Sequence, residues 1–305
     1  MGQSHLSLLL SQVAYVDKMP AVGETVLGNS FGTSFGGKGA NQAVMAAKLG
    51  GDVAMISKLG NDAIGDNYME NMAGLSMNTD NVGRTDAAST GAAVIIVDGN
   101  GNNAIAVVMA ANNLITLEDV EAARPTIAAA KLLVCQLEIP REITLAAMRI
   151  AREEGTMNFL NTAPAPRDGL DEEFITLADI ICPNEPETEA LTGMPVETLE
   201  QAKAAAHNLM ERGAKNVILT LGERGAMLVN AEEGGLLAPA SKVVAVDTVG
   251  AGDSFVGAFA HLYTSGLPMA EAMRRACQIA SISVTRAGTQ SAYPMASEVP
   301  SELLP

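Results

Sequence analysis

Residues 245–257 read AVDTVGAGDSFVG. Val249, Gly250, Ala251 and Gly252 run into a single carboxylate, Asp253, and Phe255, Val256, Phe259 and Leu262 follow at helical spacing. A Gly-rich turn at a helix start leaves backbone N–H groups without partners, and with the helix dipole they form an anion site. Asp253 there reads two ways. As an N-cap it would satisfy those groups itself, a contribution of about 1 kcal/mol. As a general base it would take a proton from an attacking hydroxyl while the N–H groups of Gly250, Ala251 and Gly252 hold a transferring phosphoryl. Such a base contributes on the order of 10²–10⁴-fold.

Three other stretches carry chemistry. Gly32-Thr-Ser-Phe-Gly-Gly37-Lys38-Gly39 fits GxxxxGK, but a P-loop then needs Ser or Thr, and Gly39 stands there. In the continuation GKGANQA, glycines let backbone approach a ligand, and Lys38 and Asn41 project from a helix start where they could hold hydroxyls or phosphate oxygens. A tight turn with a solvated lysine is the plain alternative. Asn184-Glu-Pro-Glu187 reads either as helix capping or as a site ordering a hydrated magnesium ion and nucleotide phosphates. In Leu219-Thr220-Leu-Gly222-Glu-Arg-Gly225 a strand ends in a Gly-spaced turn where backbone could pass close to a nucleotide.

The elements that must position these residues are legible from apolar patterning. Residues 132–135, 158–160, 180–182 and 217–220 read as buried strands, and 117–130, 141–154, 185–193 and 199–213 as helices. The alternation predicts an α/β fold: βαβ units, a parallel sheet and helices on both faces. Strands end at polar or glycine residues (Gln136 and Glu138, Asn161, Asn184, Gly222), where ligands of open α/β sheets bind. Residues 13–33 are rich in Val, Thr and Gly, and 91–110 hold two β-like runs around DGNGN, a hairpin signal. These predict a small separate sheet, a lid over the ligand edge formed by about 13–34 and 91–111. The proline-punctuated tail from Tyr293 reads as loop.

Composition narrows the function. The 305 residues carry a net charge of −16 with no basic run, and neither Trp nor an aromatic platform, which argues against nucleic-acid binding. Cys135, Cys182 and Cys277 are far apart and form no CxxC, so buried free thiols in a reducing compartment are expected. His5, His207 and His261 lack metal-ligand spacing. The N-terminal run Leu8–Leu10 is too short for a signal segment or a span, so no membrane partner is expected. The expected location is cytoplasmic, with nuclear entry open. No GxGxxG follows a first strand, which disfavours a dinucleotide-dependent dehydrogenase.

Taken together, GGKGANQA (36–43) and DTVGAGDSFVGA (247–258) resemble the ribokinase-like (PfkB) carbohydrate kinases. GETV (23–26), CQLEIP (135–140), LNTAPA (160–165), NEPE (184–187), LTLGERG (219–225) and VTRAGTQSAYP (284–294) support this, from about Val13 to Pro294. The resemblance implies a single Rossmann-like α/β domain over 1–305, a mostly parallel sheet with helices on both faces and a small β-sheet lid that also makes a homodimer. It implies ATP-dependent phosphorylation of the D-ribose 5-hydroxyl. Asp253 then corresponds to the base and Gly250, Ala251 and Gly252 to the anion hole. Gly37, Lys38, Asn41 and Glu138, with Asp253, correspond to sugar contacts. Asn184 and Glu187 correspond to the phosphate and Mg²⁺ motif. Thr220, Gly222, Gly225, Gly252 and Cys277 correspond to nucleotide positions. Asp247, Val249, Ser283 and Gly288 correspond to a monovalent-cation (K⁺) site beside the turn. Two further readings stay open: a kinase of another sugar or nucleoside in the same superfamily, and a non-catalytic form that binds nucleotide or a full-length subunit.

The N-terminus departs from the family pattern. Leu6-Ser7 stands where Gly-Ser is usual, and Leu9 and Ser11 where an Asn and an Asp hold sugar hydroxyls. The stretch MGQSHLSLLLSQ contains no carboxylate. This leaves an alternative or mis-assigned N-terminus, weak activity or changed specificity. Thr162 stands in place of a Pro, Ala110 in place of a Gly, and Ala292 where a Ser often joins the cation shell.

Overall fold

The computed structural model describes residues 2–6, 9–165 and 168–305, so Ser7 lies outside the described residues. The apolar runs become strands of a nine-stranded sheet. In spatial order these are β13 (Gly234–Ala238), β12 (Ala226–Asn230), β11 (Asn216–Thr220), β10 (Ile180–Cys182), β9 (Met157–Asn161), β8 (Leu132–Cys135), β1 (Gln3–Leu6), β4 (Val53–Gly60) and β5 (Asn78–Thr85). From β11 through β5 neighbouring strands run parallel, and only β12 runs the other way, antiparallel to both β11 and β13. Leu132–Cys135 is apolar at every position and wholly buried, because helices cover both sheet faces.

On one face lie α1 (Lys38–Lys48), α2 (Ala63–Gly74), α9 (Ala251–Thr264) and α10 (Met269–Ser283), around a core that includes Met45, Phe159, Phe259 and Met273. The other face carries α3 (Leu117–Ala122), α4 (Arg124–Ala129), α5 (Arg141–Glu154), α6 (Glu172–Leu177), α7 (Glu185–Thr192) and α8 (Leu199–Glu211), over Leu133, Met148, Phe174 and Leu209. The helix expected over 117–130 is thus two short ones. Pro125 in the first turn of α4 has no N–H to continue α3 and suits a new helix start. Among the described residues, no helix is long and apolar enough to cross a membrane.

The N-terminal segment forms a strand near the middle of the large sheet. Gln3 pairs with Val53 on one side and Leu132 on the other. Two fully buried polar residues thus occupy a place where a parallel sheet usually has Val or Ile. Gln3 Nε2 donates to Thr264 Oγ1 at 3.4 Å, while Ser4 Oγ is buried without a hydrogen-bond partner.

A second, four-stranded sheet has the order β3 (Gly28–Gly36), β2 (Leu9–Val16), β6 (Ala92–Val97) and β7 (Asn103–Val108). The turn between β6 and β7 is held by Asp98 Oδ1, which accepts from the Asn100 and Asn102 amides at 2.9 and 3.0 Å. Register puts Tyr15, Ile105 and Val107 on one face and Phe31, Val94 and Val108 on the other, all exposed. The buried Tyr68 hydroxyl fixes this sheet to α2: it accepts from Gly36 N–H (2.8 Å) and donates to the Leu9 carbonyl (3.0 Å).

Candidate active site

Helix α9 starts at a left-handed Gly250 (φ 79°) and makes no side-chain capping bond. Asp253 is therefore not an N-cap. It sits in the first turn, nearly buried, with its carboxylate turned toward α1. Asn41 Nδ2 donates to Asp253 Oδ2 at 2.8 Å, and Gln42 Nε2 donates to Oδ1 at 3.0 Å. Two neutral amides thus aim the carboxylate and leave each oxygen a lone pair. Among the described residues, the N–H groups of Gly250, Gly252 and Asp253 meet no acceptor, while the Ala251 N–H makes a turn bond to the Thr248 carbonyl at 3.2 Å. The arrangement is a row of donors beside an aimed acceptor.

The start of α1 is built in mirror fashion. Gly37 precedes it with φ 82°, where a side chain would be strained. The nearly buried Glu138, in the loop after β8, accepts from the Lys38 N–H at 2.7 Å, so a carboxylate sits on the positive end of α1. Burial works against the Lys38 ammonium, but Asp253, Glu138 and Glu187 around it together hold its pKa above the ordinary lysine value.

Asn184 and Glu187 form a reciprocal capping box at α7. Asn184 Oδ1 accepts from Glu187 N–H at 2.8 Å and Glu187 Oε2 accepts from Asn184 N–H at 3.1 Å. Thr162, the residue in place of a proline, donates its hydroxyl to Glu187 Oε2 at 3.1 Å. Burial raises the Glu187 carboxyl pKa against the lowering pull of these bonds and of Lys38. Thr220 ends β11 and bridges to Asn184. Gly225 (φ 98°) lies so close to β13 that a Cβ would stand 2.0 Å from the Ala238 carbonyl oxygen.

One cavity of about 910 Å³ brings most of these residues together. Lys38, Asn184, Glu187 and Thr220 line it, as do Gly222 and Gly225. Gly250, Ala251, Gly252 and Asp253 line it too. Cys182 and Cys277 face it, and burial pushes the Cys277 thiol up to about 12. Gly37, Asn41 and Glu138 stand behind this lining and reach it through Lys38 and Asp253. Asp247 ties its own loop together: Oδ1 accepts from Val249 N–H at 2.9 Å and Oδ2 from Gly288 N–H at 3.0 Å. Ser283 is linked to that cluster through its neighbour Val284, whose carbonyl accepts from the Val246 and Asp247 amides at 2.8 and 3.2 Å.

Sequence reasoning missed the buried amide chain behind Asp253. Gln136 Nε2 donates to Gln42 Oε1 at 2.6 Å, and Gln42 Nε2 also reaches Asn161 Oδ1 at 3.1 Å. Gln290 Nε2 donates to Asn41 Oδ1 at 3.0 Å and fixes which end of that amide faces Asp253. Gln42 follows Asn41 directly, Asn161 ends β9 and Gln136 follows β8, so those three had a local signal. Gln290 had none.

Near the start of α1, Leu9 pairs with Gly36 and is buried against Gly91. Ser11 Oγ lies 2.6 Å from where a Gly36 Cβ would be. Both therefore flank the strand leading into Gly37 and Lys38.

A family model described as pfkB family carbohydrate kinase matches residues 7–296. The chain is 40% identical to a deoxyribokinase of Salmonella typhi over 288 residues, 94% of each chain. It is 42% identical to a ribokinase of Mus musculus over 297 residues, covering 96% of this chain and 92% of that one. Among solved structures, Arabidopsis thaliana ribokinase complexed with ribose and ATP superposes with a TM-score of 0.91 at 30% identity, covering 99% of this chain and 98% of that one.

Proposed function

Because the chain belongs to the pfkB family of carbohydrate kinases, we propose that it transfers the γ-phosphoryl of ATP to the 5-hydroxyl of D-ribose. The observation that carries this reading is Asp253: a carboxylate that does not cap its helix, aimed by Asn41 and Gln42, beside free N–H donors lining a large cavity. Asp253 takes the proton of the attacking hydroxyl. The amides of Gly250 and Gly252, joined by Ala251 once its weak turn bond yields, meet the charge developing on the phosphoryl oxygens. Lys38 adds a full positive charge in the same cavity. The relatives named ribokinase, one of them solved with ribose and ATP, support both substrates.

The nucleotide lies along Thr220, Gly222 and Gly225 with Cys277 near its base. Among the described residues no His, Cys, Asp and Glu cluster would hold a metal ion. Asn184 and Glu187 already spend their polar atoms on each other, which fits holding a magnesium ion through its waters. Magnesium would neutralise phosphate charge there. A monovalent cation, K⁺ in our reading, would sit by the loop that Asp247 closes, with Val249, Ser283 and Gly288. The exposed apolar faces of the small sheet support a lid that also pairs two copies of the chain.

A second reading is favoured by Leu9 and Ser11: with no carboxylate on β2 near Gly37, the acceptor is a 2-deoxy sugar, as the name of the Salmonella relative suggests. Coupled ADP release with D-ribose and with 2-deoxy-D-ribose tests both. Turnover of ribose supports the first reading and preference for the deoxy sugar the second. Failure with both acceptors, at millimolar sugar and saturating ATP, removes both.

A further inference from the structure

We propose that Tyr293 is a positioning residue for the anion-binding turn, its hydroxyl holding the Gly250–Ala251 peptide in the orientation phosphoryl transfer needs. The proposal rests on the kinase reading above. Tyr293 follows α10 by ten residues and is 1% exposed. Its hydroxyl donates to the Gly250 carbonyl at 3.0 Å, and the same oxygen accepts from Ser254 N–H at 2.8 Å. Both lone pairs of that oxygen are therefore used. In a planar trans peptide the N–H points opposite the C=O, so fixing the Gly250 oxygen fixes the direction of the Ala251 N–H, which keeps its 3.2 Å turn bond to the Thr248 carbonyl until the phosphoryl oxygens replace that carbonyl as acceptor.

The same wall supports the turn sterically. A Cβ on Gly250 would stand 2.5 Å from Thr289 Cγ2 and 2.7 Å from the Tyr293 oxygen. The Gly250 Cα thus rests on the Thr289 methyl and the phenol, and its φ of 79° is the left-handed conformation that favours glycine. Tyr293 is itself held from behind. Lys48 Nζ donates to the carbonyls of Gln290 and Tyr293 at 2.7 and 2.9 Å. Lys48 and Asn41 are seven residues apart on α1 and so share a face. One end of that face orients Asp253 through Asn41, and the other orients the turn through the segment 290–293. Base and anion turn are thereby referenced to a single helix.

Two further points favour action through the backbone. Tyr293 stands behind the cavity wall formed by Gly250 and does not line it, so it does not meet the nucleotide directly. Burial, with Asp253 and Tyr68 nearby, raises its pKa, which keeps the phenol protonated and a donor.

Tyr293→Phe tests this, since it removes the hydroxyl and keeps the ring. Loosening a preorganised donor is worth less than deleting one, so kcat is expected to fall about tenfold. KM for both substrates and the Kd for ADP should stay within about twofold, because neither depends on charge built up in the transition state. Affinity for ADP with aluminium fluoride, a mimic of the transferring phosphoryl, should weaken by about the same factor as kcat. Lys48→Gln removes the anchor rather than the hydroxyl. It should show the same pattern at about threefold, and it serves if the Phe variant folds poorly. Wild-type kcat in both variants, or a loss of ADP affinity as large as the loss of kcat, overturns the proposal. If the wild type phosphorylates no sugar, the kinase reading fails, yet the aluminium fluoride comparison still reads the turn.

Discussion

Gly257 of α9 lies against Gln42 of α1 so closely that a Cβ at 257 would stand 2.2 Å from the Gln42 carbonyl oxygen. Gly257 is one helical turn beyond Asp253, on the same side of α9. The close crossing is what lets the amides of Asn41 and Gln42 reach the Asp253 carboxylate.

Gly257→Ala should therefore separate the two helices. Alanine gains about 1 kcal/mol of helix propensity over glycine. Overpacking against a backbone atom costs about 1–3 kcal/mol, and a carbonyl oxygen cannot rotate away. The clash wins, so thermal unfolding should shift down and kcat should fall as the amides leave Asp253. Gly74→Ala, at the exposed end of α2 with nothing within 4 Å of its Cβ position, is the opposite case and should be neutral or stabilising by up to about 1 kcal/mol. Differential scanning calorimetry of the two variants checks the contrast in sign.

Asp253→Asn removes the proposed proton acceptor and places an NH₂ among two existing donors, Asn41 Nδ2 and Gln42 Nε2. A loss in kcat on the order of 10²–10⁴-fold is expected. ADP affinity should hold, because in the proposed reaction Asp253 meets the attacking hydroxyl rather than the nucleotide. The Lys38 pKa should drop, because Asp253 is the foremost of the carboxylates that raise it. Steady-state kinetics and calorimetric ADP binding read the first two effects, and titration of the Lys38 ε-methylene by NMR reads the third.

Much of this was legible in the sequence, and the reasons differ by residue. The α/β order followed from apolar runs such as Leu132–Cys135, because strands buried on both faces must be apolar throughout. Residues 36–43 and 247–258 stood out because glycines beside a lysine or an aspartate at a helix start admit few readings, and the structure brings Lys38 and Asp253 to one cavity. β1 was not legible: Gln3 and Ser4 are polar, and the neighbours β8 and β4 impose the strand. The stretch 284–294 stood out, but the contacts of its Gln290 and Tyr293 were not legible. They lie about 250 residues from Asn41 and Lys48, and only tertiary packing shows the bonds between them.

His261 gives a pH dependence. Burial on α9 holds its pKa below the ordinary histidine value of 6.5. Between that depressed pKa and 6.5 the unfolded chain binds more protons than the folded one. Stability is thus complete above pH 6.5 and declines as pH falls through this window, by at most about 1.4 kcal/mol per pH unit for one group. His261→Gln should flatten this part of the profile. Urea unfolding of both proteins between pH 5 and 7.5 measures the difference, and parallel profiles would remove His261 from it.

Leu9 and Ser11 flank the strand that delivers Gly37 and Lys38, and neither offers a carboxylate to a sugar. A site that hydrogen-bonds two hydroxyls rejects an analogue lacking one far more strongly than an apolar site does. Ser11 is only partly buried and its hydroxyl lies over Gly36, which has no side chain to block a longer residue. Ser11→Asp with Leu9→Asn should therefore raise kcat/KM for D-ribose by at least about tenfold, the worth of one charged hydrogen bond of roughly 1.5–3 kcal/mol. The gain for 2-deoxy-D-ribose should be smaller, so the ratio between the two sugars moves toward ribose. An unchanged ratio in the double variant would place the sugar away from β2 and shift its recognition to Lys38, Asn41 and Glu138 alone.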